Sequence, residues 1–306
     1  VIGEIFLQWD NHIKGRFLAE LTHELFKEYK KYKFQVSELR ISVYGKDRNE
    51  WDRLQNWFNT YNVYDQRVRW IIQIPQLYKV FRKQKNVQNV QEMLDNIFKP
   101  LFEVTIDPSS NPGLHRVLLT VAGFDAIDDE TGYHETTNAK IFRILPSQFD
   151  REHNPHFCYW LYYIWANIYA LNHLRKLRGL NTFAFRPHVS ETATPEDLMS
   201  AYLLAHGISR GGRLRKSPLL QYLFYLKQIG ISMSPLSENK YFFVIDFEIS
   251  NYQKRLFLKY KDNPFPTFFA RGLNLSLSTD HPLLYHMTSQ PLIEEYSITA
   301  QVFDLN

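Results

Sequence analysis

The sequence predicts an α/β fold, a (β/α)8 barrel that here lacks its first strand. Seven β-prone runs end in polar or small residues, and helical periodicity fills the intervals between them. The runs lie at 39–44, 70–74, 117–122, 182–185, near 208, and at 231–234 and 273–277. Strands that alternate with helices form a parallel sheet with crossover connections. Because 44% of the 306 residues are apolar, one large core can be filled, and we expect 1–306 to be a single domain.

Helix signals occur in order along the chain. Apolar residues at 13, 17, 21, 25 and 26 share one helical face before the first strand. The aromatic run at 157–165 has helical spacing and predicts an outer helix that packs on the barrel. The TPED sequence at 194–197 combines an N-cap, a proline at the first helical position and an acidic first turn. Ser217 and Pro218 repeat this arrangement, and Gly230 is expected to end that helix in a left-handed conformation.

Composition excludes several classes of protein. The formal charge of +4 comes from 36 basic and 32 acidic residues spread along the chain, which argues against a nucleic-acid binder. Cys158 is the one cysteine, so an internal disulfide is excluded and a reducing, cytoplasmic location is expected. No apolar run approaches the roughly 18 residues that a membrane span needs. Since the chain opens at Val1, we interpret it as a fragment of a longer protein.

Two groups of polar residues are predicted to lie on the surface. The segment 125–147 is interpreted as a long polar loop with solvated carboxylates, and two histidines in the sequence HNPH at 153–156 as ordinary surface side chains. The residues concerned are Asp125, Asp128, Asp129, Glu130, His153 and His156.

A different set of polar residues follows two of the predicted strands. His188 and Glu191 come after the fourth run, and Asp280 and His281 come after the last. The strands of a (β/α)8 barrel deliver their functional residues to one rim, at the carboxyl ends of the strands. A histidine that ends a strand, with a carboxylate three residues later, can place an imidazole on a metal and a carboxyl beside a substrate. His-x-x-Glu is common by chance, so the surrounding sequence must decide its meaning.

The surrounding sequence resembles the AMP deaminase family, in order and over nearly the whole chain. The matching stretches are LRISVYG (39–45), EMLDNIF (92–98), GFDAIDDE (123–130), FRPH (185–188), QYL to GI (221–231), MSPLS (233–237) and LSTD (277–280). The resemblance implies a (β/α)8 barrel of the metal-dependent hydrolase type. It also implies the family reaction, in which AMP and water give IMP and ammonia on zinc.

The resemblance implies roles for individual residues. In the family, a His-x-His pair at the end of the first strand holds zinc, together with residues matching His188 and Asp280. The proton donor matches Glu191. No His-x-His occurs in the 306 residues, and the strand that carries it would precede Val1.

Two catalytic positions carry a different residue from the family. The general-base histidine falls on Arg210, followed by the expected Gly211, and the carboxylate that contacts the purine is His281. A guanidinium keeps its proton, so it cannot act as a base, and its fixed charge would repel zinc. Losing general-base help costs about 10²–10⁴ in rate. We expect Arg210 to pair with Glu191 or Asp280 instead. His206 could replace it only if the preceding helix were shortened.

The sequence therefore predicts an AMP deaminase-like protein that is catalytically impaired. The alternative is a non-catalytic scaffold or regulatory subunit, because family members assemble as homotetramers and an inactive chain could join an active paralogue. AMP is the expected ligand, and the expected protein partner is a second copy of the chain or an active paralogue. Binding to nucleic acid or to a membrane is not expected. The segment 240–255 has no counterpart in the family and is predicted to be an insertion at the catalytic rim. It is either a capping hairpin, a partner-binding segment or an artefact of gene prediction.

Overall fold

The computed structural model describes residues 6–128, 143–190, 192–239, 259–280 and 286–305. Glu191, His281, Asp129, Glu130 and the insertion at 240–255 lie outside the described residues. The chain forms two compact units. The first comprises Val1–Asp125, Asn138–Asn154 and Ala166–Ala184, and the second comprises Ala126–Thr137, Pro155–Trp165 and Phe185–Asn306.

The first sheet has four strands in the order β1-β2-β3-β4. These strands are β1 (Ser37–Ser42), β2 (Val68–Pro75), β3 (Val121–Ile127) and β4 (Ala184–Phe185). The helices up to β4 are α1 (Arg16–Lys31), α2 (Glu50–Thr60), α3 (Tyr78–Lys83), α4 (Val90–Ile106), α5 (Pro112–Leu118) and α6 (Phe157–Leu177). β1 runs parallel to β2 with Ser37 opposite Val68. A Cβ atom at Gly123 would overlap the carbonyl oxygen of Ala184, so glycine is required there.

The second sheet also has four strands, in the order β5-β6-β7-β8, and all its pairings are parallel. These strands are β5 (His188–Val189), β6 (Gly207–Arg210), β7 (Gly230–Met233) and β8 (Leu275–Leu277). The accompanying helices are α7 (Pro195–Leu204), α8 (Pro218–Lys227), α9 (Phe265–Ala270) and α10 (Pro291–Val302). Alternating helices and parallel strands confirm the predicted α/β class. No described helix is long and apolar enough to cross a membrane.

The two faces of the second sheet differ in polarity. Val189, Ile208 and Ile231 are buried in one apolar cluster with Leu198 of α7 and Phe224 of α8. Burying each such side chain contributes about 1.5–3 kcal/mol. Because side chains alternate between the two faces of a sheet, the strand neighbours of these apolar residues point to the opposite face. The register aligns these in one polar row across the sheet, formed by His188, Ser209, Ser232 and Ser276.

Two strand predictions differ from the structure. The run at 117–122 was predicted to be a strand, but Val117 lies in α5 and β3 begins at Val121. Asn111 caps α5 by accepting a hydrogen bond from Leu114 N at 3.0 Å, with Pro112 in the first turn, so the helix continues into the β-prone residues. Of the predicted strand at 182–185, only Ala184–Phe185 is observed, as β4, and two residues separate it from β5.

The end of α8 also differs from the prediction. Gln228 adopts the left-handed conformation with φ 52°, whereas Gly230 begins β7. The Gln228 side chain donates to Tyr225 O at 2.8 Å, so it satisfies a carbonyl in the last turn of the helix. At the start of α8, Ser217 and Pro218 occupy the predicted positions, but the Ser217 side chain forms no capping hydrogen bond.

The prediction of solvated carboxylates is wrong for Asp125 and Asp128. Asp125 lies in β3, is fully buried, and accepts hydrogen bonds from Arg40 Nε at 3.0 Å and Gln73 Nε2 at 3.1 Å. Asp128 is also buried and accepts a hydrogen bond from Ser190 Oγ at 3.1 Å. Both carboxylates have found partners from distant parts of the chain, which offsets the cost of burying them.

Candidate functional site

Three of the predicted site residues lie in strands of the second sheet or shortly after one. His188 opens β5 opposite Ser209, and Arg210 ends β6 opposite Val189. Asp280 follows the end of β8 by three residues, after Ser278 N has donated a last hydrogen bond to Met233 O at 2.9 Å. The register therefore places His188 and Arg210 on adjacent strands, at the edge of the sheet from which the Asp280 segment emerges.

Arg210 and Asp280 form an ion pair. Arg210 Nη2 donates to Asp280 Oδ2 at 3.2 Å, and the two side chains are 17% and 31% exposed. The backbone N–H of Asp280 also donates to Ser237 Oγ at 3.4 Å, so the aspartate is held from two sides. The sequence predicted that Arg210 would pair with Glu191 or Asp280, and the pairing with Asp280 is present.

The backbone beneath this pair has an uncommon conformation. Arg210 and Gly211 both have φ of 69°, in the left-handed region that residues other than glycine rarely adopt. At Gly211, an added Cβ would come within 2.8 Å of Ile208 Cδ1. A left-handed arginine costs about 1–3 kcal/mol and persists only where the surroundings hold it. The conformation turns the chain sharply after β6 and ends the strand at Arg210.

His206 lies at the opposite end of β6 from Arg210. It is exposed and immediately precedes the strand. Phe185 N donates to His206 Nδ1 at 3.1 Å, and His206 N donates to Phe185 O at 2.9 Å. His206 and Arg210 are four positions apart along the strand, which amounts to about 13 Å. His206 could therefore reach the position of Arg210 only if these contacts were broken.

One residue that supports the predicted site was missed in the sequence. Ser190, which directly precedes Glu191, is buried and donates to the carboxylate of Asp128. Asp128 had been assigned to a solvated loop, so its part in positioning the chain after β5 was not predicted. Its place one residue after β3 was the available signal, because residues at strand ends line the functional rim.

A second cluster, whose side chains could bind a metal, was also not predicted from the sequence. It consists of His156, Cys158 and Asp197, and one potential metal-ligating atom from each lies within 4.8 Å of the other two. His156 Nδ1 is 3.0 Å from Cys158 Sγ and 3.5 Å from Asp197 Oδ1. Burial, followed by the negative charge of Asp197, raises the pKa of the Cys158 thiol to about 12. The prediction that His156 is a surface side chain is wrong, because only 7% of it is exposed.

The ion pair of Arg210 with Asp280 bears on whether the predicted ligands His188 and Asp280 could hold zinc. Asp280 could bind zinc through a carboxylate oxygen, but its Oδ2 is held by the guanidinium of Arg210. That charge cannot be neutralised by loss of a proton. A zinc ion on these residues would therefore lie beside a permanent positive charge, which opposes its binding.

Comparisons with known proteins identify the family. The AMP deaminase family model matches residues 1–306. AMP deaminase of Dictyostelium discoideum is 47% identical over 305 residues, which are 100% of this chain and 36% of the relative. AMP deaminase of Schizosaccharomyces pombe is 48% identical over 302 residues, 99% of this chain and 34% of the relative.

A solved amidohydrolase from Burkholderia ambifaria, with bound Zn, aligns with a TM-score of 0.45 at 14% identity, over 92% of this chain and 66% of that one. The chain spans about a third of the length of the curated relatives it matches. The match of the family model to all 306 residues, with near-half identity to its members, establishes that the chain belongs to the AMP deaminase family.

Proposed function

We propose that this chain is an AMP deaminase-family protein that does not by itself convert AMP and water to IMP and ammonia. The ion pair between Arg210 and Asp280 carries the proposal. It joins the residue at the position of the family's general base to the residue at the position of a zinc ligand. A single contact thus affects both the metal and the base that deamination requires.

The chemical argument concerns the attacking water. Zinc lowers the pKa of a bound water, and a general base removes its proton as it attacks the purine ring. Arg210 can do neither task, since it is a permanent cation without a free lone pair. Glu191 would remain available as a proton donor, but it would have no activated water to complement. His206 supports the proposal from another direction, because its contacts hold it at the far end of β6.

The first test is an assay of ammonia release from AMP with the full chain and added zinc. We expect no release above background. Release that disappears in Glu191→Gln would overturn the proposal. AMP binding is measured in parallel by titration calorimetry. Binding without ammonia release would indicate a chain that binds the nucleotide but does not deaminate it.

The second test measures zinc affinity directly. Arg210→Met removes the positive charge and should strengthen zinc binding that depends on Asp280 by at least about tenfold, since one charge at 4 Å is worth several kcal/mol in a partly buried site. Arg213→Met is the matched control, because it removes the same charge three residues away. Equal effects of the two variants would show that the ion pair does not oppose the metal.

An interaction role is the second candidate function, and an exposed apolar face on α8 favours it. Leu219, Tyr222 and Leu226 recur at helical spacing and are 67%, 58% and 57% exposed. Exposed apolar side chains that share one face of a helix are suited to bind another protein. In this role the chain would pair with a second copy or with an active member of the family.

A further inference from the structure

The cluster of His156, Cys158 and Asp197 is separate from the residues discussed under the proposed function. His156 directly precedes α6, Cys158 is the second residue of α6, and Asp197 is the third residue of α7. All three belong to the second unit. We propose that they bind one divalent transition-metal ion of the zinc class, with a water completing a tetrahedral site.

The spacing of the donor atoms suits such an ion. Tetrahedral zinc with bonds of about 2.3 Å to sulfur and about 2.0–2.1 Å to nitrogen and oxygen sets N···S at about 3.6 Å and N···O at about 3.4 Å. The observed distances from His156 Nδ1 are 3.0 Å to Sγ and 3.5 Å to Oδ1. One edge must lengthen by roughly half an ångström, which a small rotation of the imidazole supplies.

Asp197 provides an independent observation that points to a ligand. Its Oδ2 caps α7 by accepting hydrogen bonds from Thr194 N and Thr194 Oγ1, both at 2.9 Å. Its Oδ1 is fully buried and accepts no hydrogen bond from any residue that the structure describes. His156 Nδ1 lies 3.5 Å from it without forming a hydrogen bond, and a buried carboxylate oxygen without a hydrogen bond is costly. A metal between Oδ1, the imidazole and the sulfur would satisfy it.

A nucleophilic relay would use the same residue types but a different geometry. In such a relay the acid contacts one ring nitrogen and the nucleophile contacts the other, so that a proton can pass through the imidazole. Here the sulfur and the carboxylate both approach Nδ1 of His156. The backbone N–H of Cys158 also donates to this nitrogen at 3.4 Å, a weak bond that an ion would displace. The three donor atoms lie within 4.8 Å of one another, close enough to share one ion.

The donor set also selects the class of metal. One nitrogen, one sulfur and one oxygen suit zinc and similar first-row ions, whereas calcium and magnesium prefer sites made of oxygen. Binding breaks the S–H bond of Cys158, forms a sulfur–metal bond and releases one proton to solvent. No oxidant or reductant is needed.

The test uses Co²⁺ alone as the probe, added as its chloride to the full chain. Cobalt takes tetrahedral sites readily, and a thiolate bound to it absorbs in the near ultraviolet. Because Cys158 is the one cysteine in the chain, any thiolate-to-cobalt absorption must come from this cluster. We expect the absorption to rise to one equivalent and to vanish when excess Zn²⁺ is added.

Variants separate this site from other binding. Cys158→Ser should abolish the absorption, and Asp197→Asn should weaken cobalt binding at least tenfold while its amide oxygen keeps the cap on α7. His156→Gln serves the same purpose if Asp197→Asn does not fold. His153→Gln is the matched control in the same loop and should bind as the parent does. Absence of the absorption in the parent, or its persistence in both Asp197→Asn and His156→Gln, overturns the proposal.

Discussion

Arg210 is held in the second unit by an ion pair with Asp280. A half-buried guanidinium needs an anion, and Asp280 supplies it at 3.2 Å. We predict a coupling free energy of about 1 kcal/mol between the two side chains, measured by a double-mutant cycle with Arg210→Ala and Asp280→Ala. Chemical unfolding of the four proteins gives the value. The estimate is modest because both side chains keep some contact with water.

The exposed pair between Arg16 and Glu20 is the control for that cycle. These side chains lie 2.8 Å apart in α1 but are 72% and 59% exposed. Water screens such an exposed pair, so we expect a smaller coupling here than between Arg210 and Asp280. If the two cycles give the same coupling, or if the effects at Arg210 and Asp280 simply add, the ion pair has no special structural role.

Glu50 gives a prediction about pH at the scale of one residue. Burial raises the pKa of Glu50 to about 7, although N–H groups of Tyr44, Gly45 and Lys46 donate to its carboxyl and lower the pKa. The folded chain then binds a proton that the unfolded chain has released between about pH 4.5 and pH 7. By linkage, this contribution to stability is full below about pH 4.5 and is lost as the pH rises through 7.

The measurement compares the parent with Glu50→Gln, which cannot titrate. The difference in unfolding free energy, parent minus variant, should fall by about 2–3 kcal/mol from pH 4.5 to pH 8, since one pKa unit corresponds to about 1.4 kcal/mol. Asp107→Asn is a control, because Asp107 is an exposed carboxylate whose pKa is lowered, chiefly by Ser109. A difference that stays constant with pH would show that Glu50 is ionised in the folded chain throughout.

At the scale of the element, α7 and α8 begin with the same sequence device but differ in structure. Thr194 Oγ1 accepts from Asp197 N at 3.2 Å and Asp197 Oδ2 accepts from Thr194 N at 2.9 Å, which forms a capping box. Ser217 forms no such bond. We therefore predict that Thr194→Ala lowers the unfolding free energy by about 1 kcal/mol and Ser217→Ala by less than about 0.5 kcal/mol. Equal losses would mean that both residues cap in solution.

Local sequence predicted the elements better than it predicted their partners. The strand runs at 39–44, 70–74 and 231–234 were found because alternation and β-branching act over a few residues. The cap at Asn111 was overlooked, so the end of α5 was taken for a strand. The left-handed residue at the end of α8 is Gln228, not Gly230. A hydrogen bond from the Gln228 side chain to Tyr225 O offsets the backbone strain of that conformation.

Several contacts of the polar residues join distant parts of the chain, so sequence spacing could not predict them. Asp125 is buried because Arg40 and Gln73 reach it from other strands, and no pattern near residue 125 announces those partners. The Arg210–Asp280 pair was predicted because one residue ends a strand and the other follows a strand of the predicted barrel, and such residues meet at one rim. His156, Cys158 and Asp197 come from the starts of two helices, which no expected motif brings together.

At the scale of the whole molecule, the exposed face on α8 predicts association with a second copy of the chain. Leu219, Tyr222 and Leu226 lie one and two turns apart on this helix, and burying a tyrosine or leucine contributes about 1.5–3 kcal/mol each. Because each 1.4 kcal/mol changes a dissociation constant tenfold, the double variant Tyr222→Asp/Leu226→Asp should weaken self-association at least a hundredfold. Sedimentation velocity over a range of concentrations measures this. Val36→Asp, at a residue 64% exposed just before β1, is the control and should associate like the parent. A parent chain that stays monomeric at every concentration, or a double variant that associates unchanged, would remove this face as the contact surface and leave the interaction role without structural support.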